Sequence, residues 1–410
     1  MVFAGIQGLA MASQVIDSRF DAGSYLVKAW ELLPQSGFQV LTASTEGSVR
    51  LYHAVQTAPD TPLDWQNTTD TPFDWENTTD TPFDWESTLI ASLPGAIYVD
   101  ILDVNNDGLV DLVFAHDFDS GCPTNCSHDN GSISWLENPG SPNIPWKTRF
   151  LGSCLGIPHR IVISKEHSPA ESLLFTVPVA GPGDLYATMS ITAYKIGING
   201  LEFYSSLDST LTACHDAKLT PDNALLVACH EGAFLFHHNA KTQSFSRSQI
   251  LQSPVYSKDP ESTLQKVLLT TNDFYGHRGI SSIDQVVDPL SGNRTLAFTG
   301  AFHGSFVAVR DSRGKVYILE NHKDSQAHDL VFIPETENEI DFLVAFRSGD
   351  SGLFRYSLVN GAWRIRQLYD GPVSTMAIGD FNADGVPDCV SVNWGAAGNS
   401  NVGLHFFTSK

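Results

Sequence analysis

Asp380-Phe381-Asn382-Ala383-Asp384-Gly385-Val386-Pro387-Asp388 runs directly into the apolar stretch Cys389 to Val392, and the same pattern occurs earlier as Asp103-Val104-Asn105-Asn106-Asp107-Gly108-Leu109-Val110-Asp111 followed by Leu112 to Ala115. Oxygen-bearing side chains stand at positions 1, 3, 5 and 9, with glycine at 6. A hard cation takes such a set: Ca²⁺ binds roughly six to eight oxygens, the glycine permits the sharp turn, and the position-7 carbonyl (Leu109, Val386) supplies a further ligand. An EF-hand would continue with a bidentate Glu and a helix, whereas here a β-rich run follows. Two structural Ca²⁺ ions are the expectation, with Mg²⁺ the other hard cation such oxygens admit, and no organic cofactor is expected. Asp, Asn and Gly also build metal-free turns of this kind.

The apolar run behind each loop serves as a ruler for the rest of the chain. Comparable runs recur at Phe38–Leu41, Leu112–Ala115, Leu173–Val177, Leu225–Ala228, Thr295–Phe298, Phe342–Ala345 and Cys389–Val392. Several are followed by a Gly-containing turn and another β-rich run, as at Gly131–Leu136, Gly232–Phe236 and Gly352–Tyr356. Helical periodicity is nearly absent. Seven units of about 58 residues suit four-stranded blades around an axis, so the expectation is an all-β, seven-bladed β-propeller using residues 1–410 as one domain. A β-sandwich array or a β-helix is the competing architecture. The last strand, near His405–Phe407, is expected to close the ring against the first blade.

Counting back fourteen residues from the first residue of a run reaches the expected start of the strand lining the channel. From Leu112 this gives Tyr98, from Leu173 His159, from Phe342 His328, and from Cys389 Thr375. With a different loop length, His215 and His277 take the same place in two other blades, and Arg160 and Arg278 stand beside His159 and His277. Strands alternate in direction, so the turn after each second strand returns to this end and brings His116, His230, His303, Arg347 and Trp394. A polar, histidine-rich rim at the mouth of an apolar channel is where a small-molecule site is expected. A lone histidine at any one of these places would be structural.

Composition narrows the partners. The chain carries 24 basic against 46 acidic residues, a net charge of −22, which repels phosphate backbones and anionic lipids. Nucleic-acid binding is not expected, and no apolar run approaches the roughly 18 residues of a membrane span. Oligomeric state is not legible. Residues 1–24 form an N-terminal segment ending its apolar part at Ala10-Met11-Ala12, a weak or truncated secretory signal. Asn67, Asn77, Asn125, Asn130 and Asn293 each open an Asn-x-Ser/Thr sequon, which together with the cysteines favours a secreted, glycosylated protein. Cys122 with Cys126 and Cys154 with Cys214 are the expected disulfides, and Cys229 and Cys389, in apolar strands, the expected buried thiols. Residues 61–90 hold three copies of a ten-residue unit bearing Trp65, Trp75 and Trp85, read as an expanded surface loop in preference to a lid.

The two loops resemble the calcium loops of FG-GAP/VCBS-type propeller blades. With Pro158-His159-Arg160, Gly276-His277-Arg278, Trp135-Leu-Glu-Asn-Pro139-Gly140 and the sequons, the chain resembles fungal secreted propeller enzymes of that type: the propeller domain of aldos-2-ulose dehydratase and the hetero-Diels–Alderases of tropolone-sesquiterpenoid biosynthesis. The resemblance implies dehydration of a hydroxymethyl tropolone to an o-quinone methide and its addition to a humulene-type alkene, or alternatively dehydration of a keto-sugar. Both need a proton placed on a leaving hydroxyl and an electron-rich oxygen stabilised. His159, His277 and His328 are the expected proton carriers and Arg278 the oxyanion partner. Tyr98, His116, Arg160, His215, Tyr275, Phe302, His303, Arg347, Thr375 and Trp394 would bind substrate, with Phe274 as a further wall. Two other classes stay open: a histidine-ligated metal oxygenase, since imidazoles converging on an axis suit Fe, Cu or Zn, and a non-enzymatic carbohydrate-binding propeller. No G-x-S-x-G, P-loop or H-E-x-x-H motif is present.

Overall fold

Each of the seven apolar runs becomes the second strand of its own four-stranded antiparallel sheet. The computed structural model describes residues 12–17, 24–33, 37–44, 46–55, 84–118, 131–141, 144–154, 156, 158–164, 171–179, 187–252, 279–287, 292–300, 304, 306–322, 325–334, 340–348, 352–381, 387–393 and 403–408. In blades 1 to 7 the second strands are Gln39–Ser44, Asp111–His116, Leu173–Pro178, Leu225–Cys229, Arg294–Gly300, Ile340–Phe346 and Asp388–Val392. They are the most deeply buried strands because both faces pack against neighbouring blades. Outer strands, such as Ala362–Tyr369, alternate exposed and half-buried residues instead.

The inner strands are Ser24–Trp30, Tyr98–Leu102, Pro158–Ile163, Cys214–Leu219, Ile283–Val287, Ala327–Phe332 and Thr375–Gly379. Both nine-residue loops join an inner strand to its second strand, in blades 2 and 7, as the sequence suggests. Ring closure differs from the expectation. Leu404–Thr408 is the third strand of blade 7, and the N-terminal segment Ala12–Asp17 adds the fourth, pairing from Ala12 with Thr408 to Asp17 with Leu404. Part of the segment read as a secretory signal is therefore a structural strand. Blade 5 differs too: its inner strand begins at Ile283, and His277 lies outside the described residues.

Neighbouring inner strands are tied by carboxylates. Asp100, Asp216, Asp284 and Asp329 each take their own following N–H on one oxygen (2.8, 3.0, 2.8 and 2.9 Å). The other oxygen accepts the N–H of the next blade's inner strand, from Ile163, Ile283, Phe332 and Met376 (2.7, 3.1, 3.3 and 3.1 Å). Thr375 makes the corresponding link between blades 7 and 1: its hydroxyl donates to the Tyr25 carbonyl (2.8 Å) and accepts from the Val27 amide (3.1 Å). Thr375 thus acts as a clasp between the two blades.

Cysteine pairing also departs from the expectation. Cys214 and Cys229 face each other across the inner and second strands of blade 4 and are disulfide-bonded, so Cys214 does not pair with Cys154, and Cys229 is not a thiol. Cys389 is a buried thiol whose pKa burial pushes up. Cys122 and Cys126 lie outside the described residues. Of the sequons, Asn293 is exposed just before a strand, while Asn67, Asn77, Asn125 and Asn130 lie outside the described residues.

The third copy of the ten-residue unit is not loop. Asp84–Ser92 is the outer strand of blade 1, and Trp85 packs edgewise on Phe381 (6.2 Å between ring centroids) and against Phe406 (5.9 Å). Trp65 and Trp75 lie outside the described residues. Val55 and Asp84 are paired residues, so the chain leaves and returns at one point. Removing residues 61–80 should therefore leave the blade intact and, by shortening the loop, favour folding by about 1 kcal/mol. Extending the deletion to residue 90 removes the strand and should abolish cooperative unfolding, as urea titration of both variants would read.

Candidate functional site

Four inner strands carry a β-bulge near their first residues, and the bulged residues are Tyr25, His159, His215 and His328. A bulge places two residues opposite one and re-aims the side chain. Here it brings a phenol and three imidazoles together at the axis, all deeply buried (4%, 4%, 0% and 0% exposed). They form a buried cluster, not the open rim expected. The Tyr25 hydroxyl lies 2.8 Å from Nε2 of His159 and 3.0 Å from Nε2 of His328. The His215 ring sits between the other two imidazoles, with centroids at 4.6 and 5.0 Å.

The opposite ring nitrogens face the next blade. Nδ1 of His159 is 3.0 Å from the His215 carbonyl, Nδ1 of His215 is 3.1 Å from the Ser281 carbonyl, and Nδ1 of His328 is 2.8 Å from the Ser374 carbonyl. Arg160, 3% exposed, donates through Nη1 to Nδ1 of His159 (3.0 Å) and to the His159 carbonyl (3.0 Å), and through Nε to Asp216 (3.3 Å). Arg347, half-buried, donates from Nε to Gln326 (3.0 Å) at the same end.

Burial holds all three imidazoles well below the usual histidine pKa, and the charges of Arg160 or Arg347 deepen the shift. They are neutral at pH 7. Tyr25 is raised, by burial against the opposing pull of Arg160 and Arg347. A second charged layer follows along the inner strands. Lys28 donates to the Tyr98 hydroxyl (3.1 Å), the Arg160 guanidinium lies 4.8 Å from the Tyr98 ring centre, and Lys218 pairs with Asp284 (3.3 Å). Burial alone would lower both lysines; Tyr98 and Asp329 for Lys28, and Asp284 and Asp216 for Lys218, outweigh it and keep them charged.

The sequence-derived set is thus divided. His159, His215, His328, Arg160 and Arg347 gather with Tyr25, which the sequence reading passed over, and Tyr98 lies in the adjoining layer. His116 stands at the end of its strand against Ser134 of its own blade (2.8 Å), away from the cluster's hydrogen bonds. His277, Arg278, Tyr275, Phe274, Phe302, His303 and Trp394 lie outside the described residues. Tyr25 had a signal: the count of fourteen back from Gln39, where the second strand of blade 1 begins, lands on it.

The first cation loop folds on itself. Asp103 accepts from the amides of Asp107 (3.1 Å) and Gly108 (2.9 Å), Asn105 from Asp107 (3.1 Å), and Asp107 from Leu109 (2.9 Å). Asn106 and Gly108 supply the left-handed backbone, at φ 60° and 87°. Asp111 closes the loop's neck: its buried oxygens accept from Val104 (3.0 Å) and Asn138 (2.8 Å), and desolvation raises its pKa to about 6. Asp388 repeats this on Phe381 (3.2 Å). Asn382, Asp384 and Val386 lie outside the described residues, leaving Asp380 and Asp388 of the second loop. Among the described residues no three Asp, Glu, His or Cys groups gather as a metal-ligating set. The turn at Asp103, Asn105 and Asp107 is nevertheless all-oxygen and crowded with like charge, a donor set that fits a hard cation.

Neutral buried histidines bind fewer protons than their unfolded counterparts below about pH 6.5. Stability contributed by their neutrality is full above that pH and falls as the pH drops. Lowering the pH from 7.5 to 5.5 should therefore cost stability at each of them. Asp111 and Asp329, raised by burial, act in the opposite sense. The His328→Gln variant should therefore show a shallower loss of urea midpoint between pH 7.5 and 5.5 than the wild type; an identical slope would mean His328 is charged when folded.

No family model matches the chain, and no curated protein matches it in sequence. Among solved structures, BBS1N in complex with ARL6DN is similar with a TM-score of 0.52 at 10% identity, over 98% of this chain and 97% of that one. The WD40 β-propeller domain of Doa1 gives 0.47 at 11% identity over 98% of each chain. The extracellular domain of BT4673 from B. thetaiotaomicron gives 0.49 at 12% identity over 97% of this chain, which spans 40% of that chain. At such identities the likeness is one of fold alone. What the sheets themselves establish is an all-β protein of seven blades, a β-propeller closed by its own N-terminal strand.

Proposed function

We propose that this protein is an enzyme that promotes dehydration of a hydroxyl-bearing small molecule at the histidine end of the propeller axis. The observation that supports this most is the Tyr25 hydroxyl shared between Nε2 of His159 and Nε2 of His328, beside two guanidinium groups. A neutral imidazole can relay a proton to a leaving hydroxyl, and Arg160 and Arg347 suit an oxygen that gains negative charge as water leaves. Ligation of a catalytic metal is the weaker reading, because two of the three Nε2 atoms are already engaged by the Tyr25 hydroxyl.

For the substrate, the resemblance noted in the sequence favours a hydroxymethyl tropolone, with hetero-Diels–Alder addition of the o-quinone methide to a humulene-type alkene as the second step. A keto-sugar would use the same proton transfer. The cysteine bond and the exposed Asn293 sequon favour an extracellular or secretory setting. The assay supplies hydroxymethyl tropolone and humulene and follows rate and product stereochemistry. A single enantiomer is expected, with His328→Gln losing about 10²- to 10⁴-fold in rate. Racemic product at the background rate would reject the cycloaddition, and turnover of a keto-sugar would redirect the substrate assignment.

We also infer a structural Ca²⁺ in the loop at Asp103, Asn105 and Asp107, with Asp111 and Asp388 as neck staples in the two loops. The bound ion would neutralise the loop carboxylates and stiffen the turn between two strands. EDTA should lower the melting temperature by a few degrees, as a site filled to about 100 times Kd contributes about 2.7 kcal/mol. Asp103→Ala should reproduce part of that shift, leaving a smaller response to EDTA. An unchanged melting curve in both experiments would reject the ion.

A further inference from the structure

We propose that Arg160 fixes the tautomer of His159, and that this makes Tyr25 the proton donor and His328 the proton acceptor of a one-way pair at the axis. The argument is a count of protons. A guanidinium carries no acceptor, so Arg160 Nη1, 3.0 Å from Nδ1 of His159, can only donate. Nδ1 must then carry a lone pair, which leaves the proton of the neutral ring on Nε2. That N–H points at the Tyr25 oxygen 2.8 Å away. At the other end the Ser374 carbonyl, which can only accept, lies 2.8 Å from Nδ1 of His328 and sets its proton there. Nε2 of His328 is thereby an acceptor, and it receives the single Tyr25 proton across 3.0 Å.

One contact opposes this assignment. The His215 carbonyl lies 3.0 Å from Nδ1 of His159 and would be met by an N–H in the other tautomer. That tautomer, however, turns an N–H against the Arg160 cation and gives the Tyr25 hydroxyl two acceptors and one proton. It gains one neutral hydrogen bond and loses two, one of them charge-assisted and about twice as strong. The Nε2–H form therefore prevails, at the expense of the carbonyl contact.

The consequence is a division of labour that the histidines alone do not suggest. His159 cannot receive a proton on either nitrogen while Arg160 is in place, so it acts as a fixed donor. When the Tyr25 O–H bond breaks, the proton forms an N–H bond at Nε2 of His328, and the phenolate left behind faces the His159 N–H and the Arg160 charge. Imidazolium at His328 gives that proton to the leaving hydroxyl as its C–O bond breaks, and the phenolate takes the proton that the substrate's other hydroxyl gives up, so that water leaves and both residues regain their starting forms. Tyr25 is a catalytic residue in this scheme and Arg160 a positioning residue. The tautomers stand on geometry alone, whereas their catalytic use rests on the dehydration reading above.

Long-range ¹H–¹⁵N correlation on the ¹⁵N-histidine-labelled full chain at pH 8 distinguishes the two tautomers, with His159→Gln and His328→Gln assigning the signals. His159 is expected as Nε2–H and His328 as Nδ1–H. Arg160→Met should switch His159 to Nδ1–H, Arg160→Lys should retain Nε2–H, and Tyr25→Phe should leave it in place because the guanidinium still donates. A wild-type His159 found as Nδ1–H overturns the proposal, even should Arg160→Met fail to fold. The assay with hydroxymethyl tropolone is separate. Correct tautomers without turnover of either the tropolone or a keto-sugar would leave the tautomer assignment standing and reject the dehydration; turnover with His159 as Nδ1–H would do the reverse.

Discussion

The propeller depends on a carboxylate reaching from one inner strand to the backbone of the next. Inner strands of different blades share no sheet, so no ladder joins them, and their polar groups near the axis must be satisfied by side chains. Asp100, Asp216, Asp284 and Asp329 do this with one oxygen turned inward to their own strand and one outward. An Asp fits because its short side chain bridges the two amides with less rotamer freedom to lose than a Glu would have. Asp216 is buried and the other three are half-buried, places where an isolated carboxylate would be costly. Lys28, Arg160 and Lys218 balance that layer, so the interblade ties and the charged layer form one system.

The histidine cluster sits on this frame. Three of its members precede a tied or paired position by one residue: His215 before Asp216, His328 before Asp329, and His159 before Arg160, which itself reaches Asp216. The bulge and the tie are therefore neighbours in sequence. Locking the following residue to the next blade leaves the bulged one little freedom, and the ring is held to within a hydrogen bond of the axis. Such support is what a proton-transferring group requires, since its geometry must survive thermal motion of the strands.

How far the sequence could be read follows from which features are local. Nine-residue loops ending in an apolar run mark a strand pair wherever they occur, and that ruler located all seven second strands, with His159 and His328 from the count and His215 by allowing a different loop length. It stumbled where local pattern and pairing diverge. Phe38 looks like the first residue of its run, but Gln39 begins the strand, and the one-residue slip concealed Tyr25. Cys229 ends an apolar strand and Cys214 heads a polar one, and only cross-strand register sets them face to face. Trp85 belongs to a repeat that reads as loop by composition, yet its third copy is recruited as an outer strand by contact with Phe381 and Phe406. A threonine at the head of an inner strand looks like a pocket residue; only closure of the ring reveals it as a clasp.

The pairing of Ala12–Asp17 with Leu404–Thr408 gives the chain a particular order of assembly. Six blades consist of residues consecutive in sequence and can form as synthesis proceeds. The seventh waits for its last strand to meet its first, across almost the entire length of the polypeptide. Contacts of such sequence separation are slow to form, because loop closure precedes any gain. Until then Leu404–Thr408 presents an open edge, and the newly made protein is most exposed to aggregation in the interval before these two strands meet.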